Sequence, residues 1–351
     1  MALIAFKKHS ESVRFKSPLK NMEPVEVEIE RRLDPLTGRA ALWCESFQDK
    51  VGMFFAKSDY QLLEELAAQT RERCFFCPEK VKAYTPRYEE SWLKGGALER
   101  GKCFLFPNLF PLSALHAVIV VGEKHLRLPD DFPPQLLQDA FSLAVEFGRS
   151  VHGADPQRRY LTVNTNYLPP AGASLLHPHL QLFGGKYPPT AVEELQKACR
   201  EFQNRLGRPY FETLVEEEKA SGERYIFQTG PVHWLAAFAP AGANEILGVA
   251  PGYSNLLELD DQALGGLAEG LSRALAFFHR QGFSSFNYTI YSDTLEGNGA
   301  FPVFLRLVCR QNFARHYHND DYFLQKMLGD EIILIKPETL AEQLRSTSPV
   351  S

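Results

Sequence analysis

The strongest constraint on how this chain can fold is an internal repeat. The first copy contains the apolar run LHAVIVVGEK, which predicts a strand, followed by a loop and a helix from about 133 to 150. The second copy starts with EILGVAP and predicts the same order, with a helix from about 260 to 280. Each copy then continues with two strands, RRYLTVNTN and LLHPHLQLF in the first and SSFNYTIYSD and PVFLRLVCR in the second. A duplicated unit of roughly 110 residues therefore accounts for much of the chain.

The repeat predicts the fold class and the domain organisation. In each copy, strands flank one helix and the chain returns through hairpin-like turns, which is typical of an antiparallel sheet with a helix packed on it. We therefore predict an α+β protein of two duplicated half-domains, residues 1–190 and 191–351. Hydrophobic residues make up 44% of the 351 positions, and the chain contains 26 Phe, so it can bury a sizeable core.

Charge and hydropathy argue against several classes of function. The chain has 38 basic and 43 acidic side chains, a formal net charge of −5, which is unlike a general nucleic-acid binder. The sequence contains no run of 18 apolar residues, so we predict no membrane span. The N-terminus lacks the order of a signal peptide, so we predict a cytoplasmic protein. A small anionic ligand held in one pocket is compatible with this charge balance.

The motif HPHLQ near the end of the first copy carries the clearest chemical signal. Alternate residues of a strand point to one face, so His177, His179 and Gln181 are predicted to project together. This set suits a phosphate, because a neutral imidazole can attack phosphorus and an amide can donate to a non-bridging oxygen. The preceding NTNYLPPAGAS is rich in small residues, which lets backbone N–H groups approach an anion. The alternative is an edge strand whose histidines face solvent.

The second copy lacks these imidazoles. Its last strand carries Arg306, and its loop has no counterpart of His125. This asymmetry predicts one active half and one scaffolding half. We assign His116, at the start of an apolar strand, to the core or to a cap, and the run 216–219 to a solvated helix face.

A Cys-x2-Cys pair, Cys74 and Cys77, predicts a metal site. Two thiolates are half of a tetrahedral zinc site, and His125 and His177 can complete it. Such a Cys2His2 site would be electrically neutral and structural, which leaves His179 free as a nucleophile. In a cytosolic chain with six cysteines, a redox pair and two inert thiols are the alternatives.

Together these motifs resemble the galactose-1-phosphate uridylyltransferase family of the histidine-triad superfamily. The resemblance covers residues 28–345 and rests on RRLDPLTGRAALW, CFFC, FPNLFP, EKH, HPHLQ and FETLVEEEKASGERYIFQTGPVHWLAAFAP. It implies a two-step transfer of a nucleoside monophosphate through a covalent intermediate on His179. It also implies that His177 is a zinc ligand, alongside Cys74, Cys77 and His125.

The resemblance implies roles for further residues near the nucleophile. Gln181 would steady the phosphoryl oxygens, and Ser174 would support the adduct as a catalytic residue. Phe106 and Asn108 would hold the nucleoside. The complete set of implied nucleotide-binding residues is Phe106, Asn108, Asn166, Gly172, Ser174 and Gln181.

One departure marks a divergent member of the family. A hexose-contacting segment of the type K-F-x-V-G-Y-E is missing near the C-terminus, and HNDDYFLQKM takes its place. We expect its acidic pair, Asp320 and Asp321, to repel a hexose phosphate.

The predicted activity is transfer of a nucleoside monophosphate from a nucleotide sugar or similar donor to a phosphate or sugar-phosphate acceptor. The alternatives are a phosphorylase or hydrolase of nucleotide sugars or dinucleoside polyphosphates, and a nucleotide-binding protein without turnover. The resemblance also leads us to expect a homodimer.

Overall fold

The computed structural model describes residues 3–47, 55, 57–297 and 299–347. Within these ranges, ten strands form one antiparallel sheet and four strands form a smaller one. The strands are β1 Lys8–Ser17, β2 Glu23–Leu33, β3 Ala40–Cys44, β4 Leu98–Arg100, β5 Cys103–Pro107, β6 Leu115–Val121, β7 Tyr160–Tyr167, β8 His179–Gly185, β9 Tyr225–Thr229, β10 Val232–Ala236, β11 Ile246–Val249, β12 Phe286–Tyr291, β13 Phe304–Cys309 and β14 Glu331–Ile332.

The large sheet joins the two copies of the repeat side by side. Its strand order is β4-β5-β6-β8-β7-β12-β13-β11-β10-β9, so the strands of each half lie on their own side of the central pair β7 and β12. In that pair, Asn166 lies opposite Asn287 and Asn164 lies opposite Thr289. The predicted α+β class with antiparallel sheets is confirmed.

The helices are α1 Tyr60–Arg71, α2 Pro78–Tyr84, α3 Pro134–Ala154, α4 Thr190–Leu206, α5 Tyr210–Ser221, α6 Asp261–Arg280 and α7 Pro337–Arg345. The two helices predicted from the repeat are confirmed as α3 and α6. A proline occupies the first turn of α3, and the Asp260 side chain caps α6 by accepting a hydrogen bond from the Ala263 N–H at 2.8 Å. Both helices pack on one face of the large sheet and share its main core. No helix within the described ranges is long and apolar enough to cross a membrane.

The opposite face of the large sheet is covered unevenly. On the first half, Phe76 and Val81 pack over the apolar side chains of β5 and β6. On the second half, α4 and α5 cover β10, β11 and β13. Between these two apolar patches lie polar side chains of β7, β8 and β12, which we call the polar strip: Thr162, Asn164, Asn166, Gln181, Asn287 and Thr289.

The prediction that residues 216–219 form a solvated helix face is wrong for Glu218. This residue is only 1% exposed, and its Oε1 lies 2.8 Å from Nε of Arg224. The reason is helical periodicity, because Phe211, Leu214 and Glu218 fall on the same buried face of α5. A carboxylate is tolerated there because an equally buried guanidinium pairs with it.

Candidate active site

Strand β8 places two residues of HPHLQ on the open face of the sheet. Leu180 and Leu182 point into the helix-covered core, where they are 2% and 0% exposed. Because side chains alternate along a strand, His179 and Gln181 point to the other face, where Gln181 is part of the polar strip. His177 precedes the strand, and its ring nitrogen Nδ1 lies near the two cysteines.

His179 is held in one tautomer. Its Nδ1 lies 2.9 Å from the carbonyl oxygen of His177, so Nδ1 carries the proton and donates it. The lone pair is then on Nε2, which has no hydrogen-bond partner among the described residues. Burial lowers the pKa of the ring, and the bond to the carbonyl offsets this only in part. A neutral imidazole with an unshared Nε2 is the form that can attack phosphorus.

Four buried side chains form a cluster that can bind a metal ion. The ligand atoms of Cys74, Cys77, His125 and His177 all lie within 4.8 Å of one another. Sγ of Cys77 is 3.5 Å from Nδ1 of His125 and 3.7 Å from Nδ1 of His177. Tetrahedral zinc with ordinary bond lengths would separate nitrogen and sulfur by about 3.5 Å. The structure therefore brings together all four ligands implied by the sequence.

Both histidines of the cluster are oriented through their second nitrogen. Nε2 of His177 lies 2.9 Å from the carbonyl oxygen of Gly122. Nε2 of His125 lies 2.9 Å from Oγ1 of Thr70, whose own proton goes to the Leu66 carbonyl at 2.7 Å. Each Nε2 is therefore the donor, and each Nδ1 presents a lone pair to the cysteines.

The protonation of the cluster without a cation is set by burial. Burial, reinforced by Cys74, raises the pKa of the Cys77 thiol to about 12, and burial lowers the pKa of His177 to about 4. Cys77, His125 and His177 would then be neutral at neutral pH. A divalent cation binds cysteine as the thiolate, and two thiolates would balance its charge.

The structure brings His116 into the site, where the sequence analysis assigned it only a core or capping role. Its Nε2 lies 3.0 Å from Gln181 Oε1 and 3.0 Å from Asn108 Nδ2, and its Nδ1 accepts from the Leu112 N–H. Because Nδ1 is an acceptor, the neutral ring carries its proton on Nε2 and donates it to Gln181. The approach of the Asn108 amide nitrogen to the same Nε2 then joins two donors and is a contact without a hydrogen bond. The amide nitrogen of Gln181 is then available as a hydrogen-bond donor on the open face of the sheet. The alternation of side chains along β6 points His116 to the open face of the sheet, and this pattern could have placed it in the site.

The small-residue loop before HPHLQ leaves β7 through a tight turn. Leu168 has a φ of +68° and Gly172 a φ of +89°. A leucine in this region is strained, and such strain collects at functional sites. Gly172 and Ser174 are exposed, and a Cβ on Gly172 would lie 3.7 Å from Nδ2 of Asn166. Three of the implied residues, Asn166, Gly172 and Ser174, therefore belong to this turn or its flank.

The two implied nucleoside residues differ in their exposure. Phe106 is only 3% exposed, and its ring packs edge-on against Phe76, with the centroids 5.6 Å apart. Phe76 in turn lies 5.3 Å from the ring of His179, so it stands between Phe106 and the imidazole. Asn108 is half-buried and contacts His116, as described above.

A cleft of about 310 Å³ runs along the polar strip. This volume is at the lower end of the range for small-molecule sites. Its lining includes Leu112, His116, Asn164, Asn166, Gln181, Thr289 and Tyr291. Side chains from both halves therefore line the cleft.

The expectation that Asp320 and Asp321 repel a hexose phosphate is not supported. Asp320 is paired with Arg310 at 2.6 Å, and Asp321 is paired with Lys326 at 2.6 Å. Their charges are balanced locally, so the acidic pair is not a free repulsive patch.

Comparisons with known sequences find a relative that matches most of this chain. No protein-family model matches the chain. An uncharacterized protein from Archaeoglobus fulgidus is 33% identical over 319 residues, which cover 90% of this chain and 92% of that protein.

Solved structures show a similar fold at lower identity. An ADP-glucose phosphorylase from Arabidopsis thaliana with bound ADP-glucose has a TM-score of 0.71 at 20% identity, covering 92% of this chain and 99% of its own. A GalT-like protein from Arabidopsis thaliana has a TM-score of 0.68 at 21% identity, covering 91% and 99%. A uridylyltransferase has a TM-score of 0.64 at 18% identity, covering 78% and 90%. The chain thus belongs to the same family as the Archaeoglobus fulgidus protein, and its fold is similar to that of the phosphorylase, the GalT-like protein and the uridylyltransferase.

Proposed function

We propose that the protein is a nucleotidyltransferase that forms a covalent nucleotidyl adduct on Nε2 of His179. The proposal rests on the tautomer of the His179 ring. Its Nδ1–H donates to the His177 carbonyl at 2.9 Å, and its Nε2 has no hydrogen-bond partner among the described residues. The bond at Nδ1 also stabilises the imidazolium that forms once Nε2 is bonded to phosphorus. Gln181 is the neighbouring donor for the phosphoryl oxygens.

The reaction takes place in two displacements. In the first, the Nε2 lone pair bonds to the α-phosphorus of a nucleotide sugar, and the sugar phosphate departs with the electrons of the broken P–O bond. In the second, an oxygen of phosphate or of a sugar phosphate bonds to the same phosphorus, and the P–N electrons return to Nε2. Neither step requires an oxidant, and the residues act by positioning and charge stabilisation.

We further propose that the metal held by Cys74, Cys77, His125 and His177 is zinc and that its role is structural. A Cys2His2 donor set with both histidines hydrogen-bonded through Nε2 suits this ion. Bound zinc would fasten the CFFC turn to the start of β8, where Phe76 packs against the nucleophile. The six unpaired cysteines suit a cytoplasmic location. The homodimer stays a prediction.

The test is the mass of the intact protein after brief incubation with candidate donors. The panel holds UDP-glucose, ADP-glucose, GDP-mannose and diadenosine tetraphosphate, with ADP-glucose included because the similar phosphorylase binds it. We expect a gain of one nucleoside monophosphate with one donor, its absence in His179→Ala, and its retention in the control His9→Ala, which changes an exposed histidine of β1. Added phosphate or glucose 1-phosphate should then remove the mass.

Three results would contradict this function. An adduct that persists in His179→Ala would show that another residue is the nucleophile. No adduct with any donor would favour a nucleotide-binding protein without turnover, whereas loss of the adduct in buffer alone would favour a hydrolase.

A further inference from the structure

The second half of the chain reaches into the loop of the first half through one side chain. Asn287 of β12 uses its amide nitrogen, Nδ2, to contact three oxygens across the central strand pair. These are the Asn166 Oδ1 at 2.8 Å, the Ala171 carbonyl at 3.0 Å and the Thr165 carbonyl at 3.1 Å. A single amide thus ties the end of β7 to the strained turn that carries Gly172.

The orientation of the Asn287 amide is set from both ends, by Arg310 at its oxygen and by the two backbone carbonyls at its nitrogen. Nη1 of Arg310 lies 2.6 Å from Oδ1 of Asn287. A guanidinium can only donate, so the amide must present its oxygen to Arg310 and its nitrogen to Asn166. The Asn166 amide must in turn present its oxygen to Asn287, which leaves its own nitrogen beside Gly172. Arg310 and two backbone carbonyls therefore fix the orientation of Asn287, which in turn fixes the orientation of Asn166.

Arg310 itself is rigidly held. Its Nε and Nη2 contact the two carboxylate oxygens of Asp320 at 2.8 and 2.6 Å, and the pair is 22% and 12% exposed. Asp320 also accepts from the Gln311 N–H at 3.0 Å. A bidentate, half-buried pair of this kind keeps the guanidinium plane fixed.

We propose that Asn287 and Arg310 are positioning residues that hold Nδ2 of Asn166 as a donor to a non-bridging oxygen of the transferring phosphoryl group. The inference rests on the proposed nucleotidyl transfer and extends it to the second half, which acts on the site instead of only supporting it. Were the Asn166 amide reversed, its oxygen would face the anionic phosphoryl group and repel it. Nδ2 of Asn166 has no acceptor among the described residues, so it is available for this bond.

The test uses variants of the full chain that alter orientation with little change in size. In Asn287→Asp, the carboxylate stays paired with Arg310 but offers only acceptors to Asn166, so the Asn166 amide reverses. The carboxylate also loses the bonds to the two backbone carbonyls, and the melting temperature measures that part of the change. Arg310→Met removes the cation, and Arg310→Lys restores a donor to Asn287. The control Asn204→Asp makes the same chemical change on an exposed position of α4.

The main readout is the rate of adduct formation in a single turnover, with the donor that labels the wild-type protein. At saturating donor, Asn287→Asp and Arg310→Met should slow this rate by roughly 10- to 100-fold, as expected for misplacing one phosphoryl donor. The donor concentration at half-saturation should change by less than about threefold, because the bond matters most at the transition state. Arg310→Lys should recover most of the rate lost in Arg310→Met.

The inference is overturned if Asn287→Asp and Arg310→Met form the adduct at rates within twofold of the wild-type rate. Lowered melting temperature with an unchanged rate would likewise assign these residues a structural role only. Both results leave the proposed function intact.

If the wild-type protein forms no adduct, that result contradicts the proposed function and leaves the rate measurement without a signal. A second measurement then tests the inference. The side-chain amide signals of Asn166, identified as those missing from Asn166→Asp, are followed by NMR while AMP or UMP is added. A shift in the wild-type protein that is lost in Asn287→Asp supports the relay. No shift, or the same shift in both proteins, overturns it.

Discussion

At the scale of single residues, the site depends on which end of each amide or imidazole faces the cleft. Gln181 and Asn166 both offer an oxygen and a nitrogen, and a phosphoryl group accepts bonds only from the nitrogen. His116 directs the first amide through its Nε2–H, because the Leu112 N–H occupies Nδ1. Asn287 directs the second. The uncharged side chains of His116 and Asn287 thus orient the two amides directly, and Arg310 in turn helps to orient Asn287.

We predict that His116→Phe slows adduct formation by roughly tenfold at saturating donor, because Gln181 loses the partner that fixes its amide. The unpaired Leu112 N–H and Gln181 oxygen should also lower the free energy of unfolding by about 1–3 kcal/mol. Single-turnover mass measurement and urea unfolding give the two values. A matched His152→Phe, at the end of α3, should leave the rate unchanged. An unaltered rate in His116→Phe would show that Gln181 is oriented by other contacts.

Part of the site could be predicted from the sequence because its spacing is local. Cys74 and Cys77 are three positions apart, and His179 and Gln181 alternate along one strand, so short-range geometry brings each pair together. His116 and Asn287 could not be assigned in this way, because their partners depend on the register between strands far apart in the sequence. That register is determined by packing of the whole sheet.

At the scale of elements, the Cys2His2 cluster lies where the CFFC turn meets the adjoining ends of the paired strands β6 and β8. The two cysteines lie between α1 and α2, His125 follows β6, and His177 precedes β8. Because the carbonyl of His177 also holds Nδ1 of His179, the cluster and the tautomer of His179 are structurally linked. Helices α3 and α6 were predictable from the repeat and its periodicity, but this junction depends on buried polar chemistry.

We predict that Cys74→Ser lowers the zinc content of the purified protein well below one ion per chain and lowers its melting temperature. The hydroxyl is a much weaker zinc ligand than the thiolate, and a structural metal contributes directly to folding free energy. Metal analysis and thermal unfolding measure both effects. Cys44→Ser, a half-buried thiol of β3 that contacts Ser46, is the control and should change neither. Freshly purified wild-type protein without zinc would refute the assignment.

At the scale of the whole molecule, buried ions connect distant parts of the chain. Glu338 of α7 accepts from Arg32 of β2 at 2.9 and 3.0 Å and from Arg224, which follows α5, at 2.9 Å. Both arginines are almost fully buried, at 1% and 2% exposure. The C-terminal helix is therefore bound to the N-terminal hairpin and to the second half at one carboxylate.

We predict that this carboxylate makes the protein acid-sensitive. Burial alone would raise the pKa of Glu338, but Arg32, with Arg224, outweighs it and lowers the pKa to about 2. A lowered pKa contributes stability that is present above the ordinary value of 4.5 and is lost as the pH falls toward 2. The contribution should be on the order of 2 kcal/mol, since part of the carboxylate is exposed to water.

Urea unfolding at a series of pH values measures this effect. Glu338→Gln should be less stable than the wild-type protein at pH 7, and the difference should shrink between pH 4.5 and 2. A difference that stays constant with pH would mean that the carboxylate charge contributes nothing. Burial raises the pKa of Glu218, so the effect of Glu218 on stability changes with pH in the opposite direction. Comparing Glu338→Gln with the wild-type protein separates the contribution of Glu338 from that of Glu218.

The central strand pair also restricts how relatives of this chain can be recombined. Positions 164 and 166 on β7 face positions 289 and 287 on β12, with Asn164 and Thr289 bonded at 3.0 Å and the two asparagines at 2.8 Å. A chimera that exchanges the halves near residue 190 would take the two sides of this seam from different parents. Such hybrids should assemble into folded proteins yet lose turnover, unless the four facing positions are inherited from one parent.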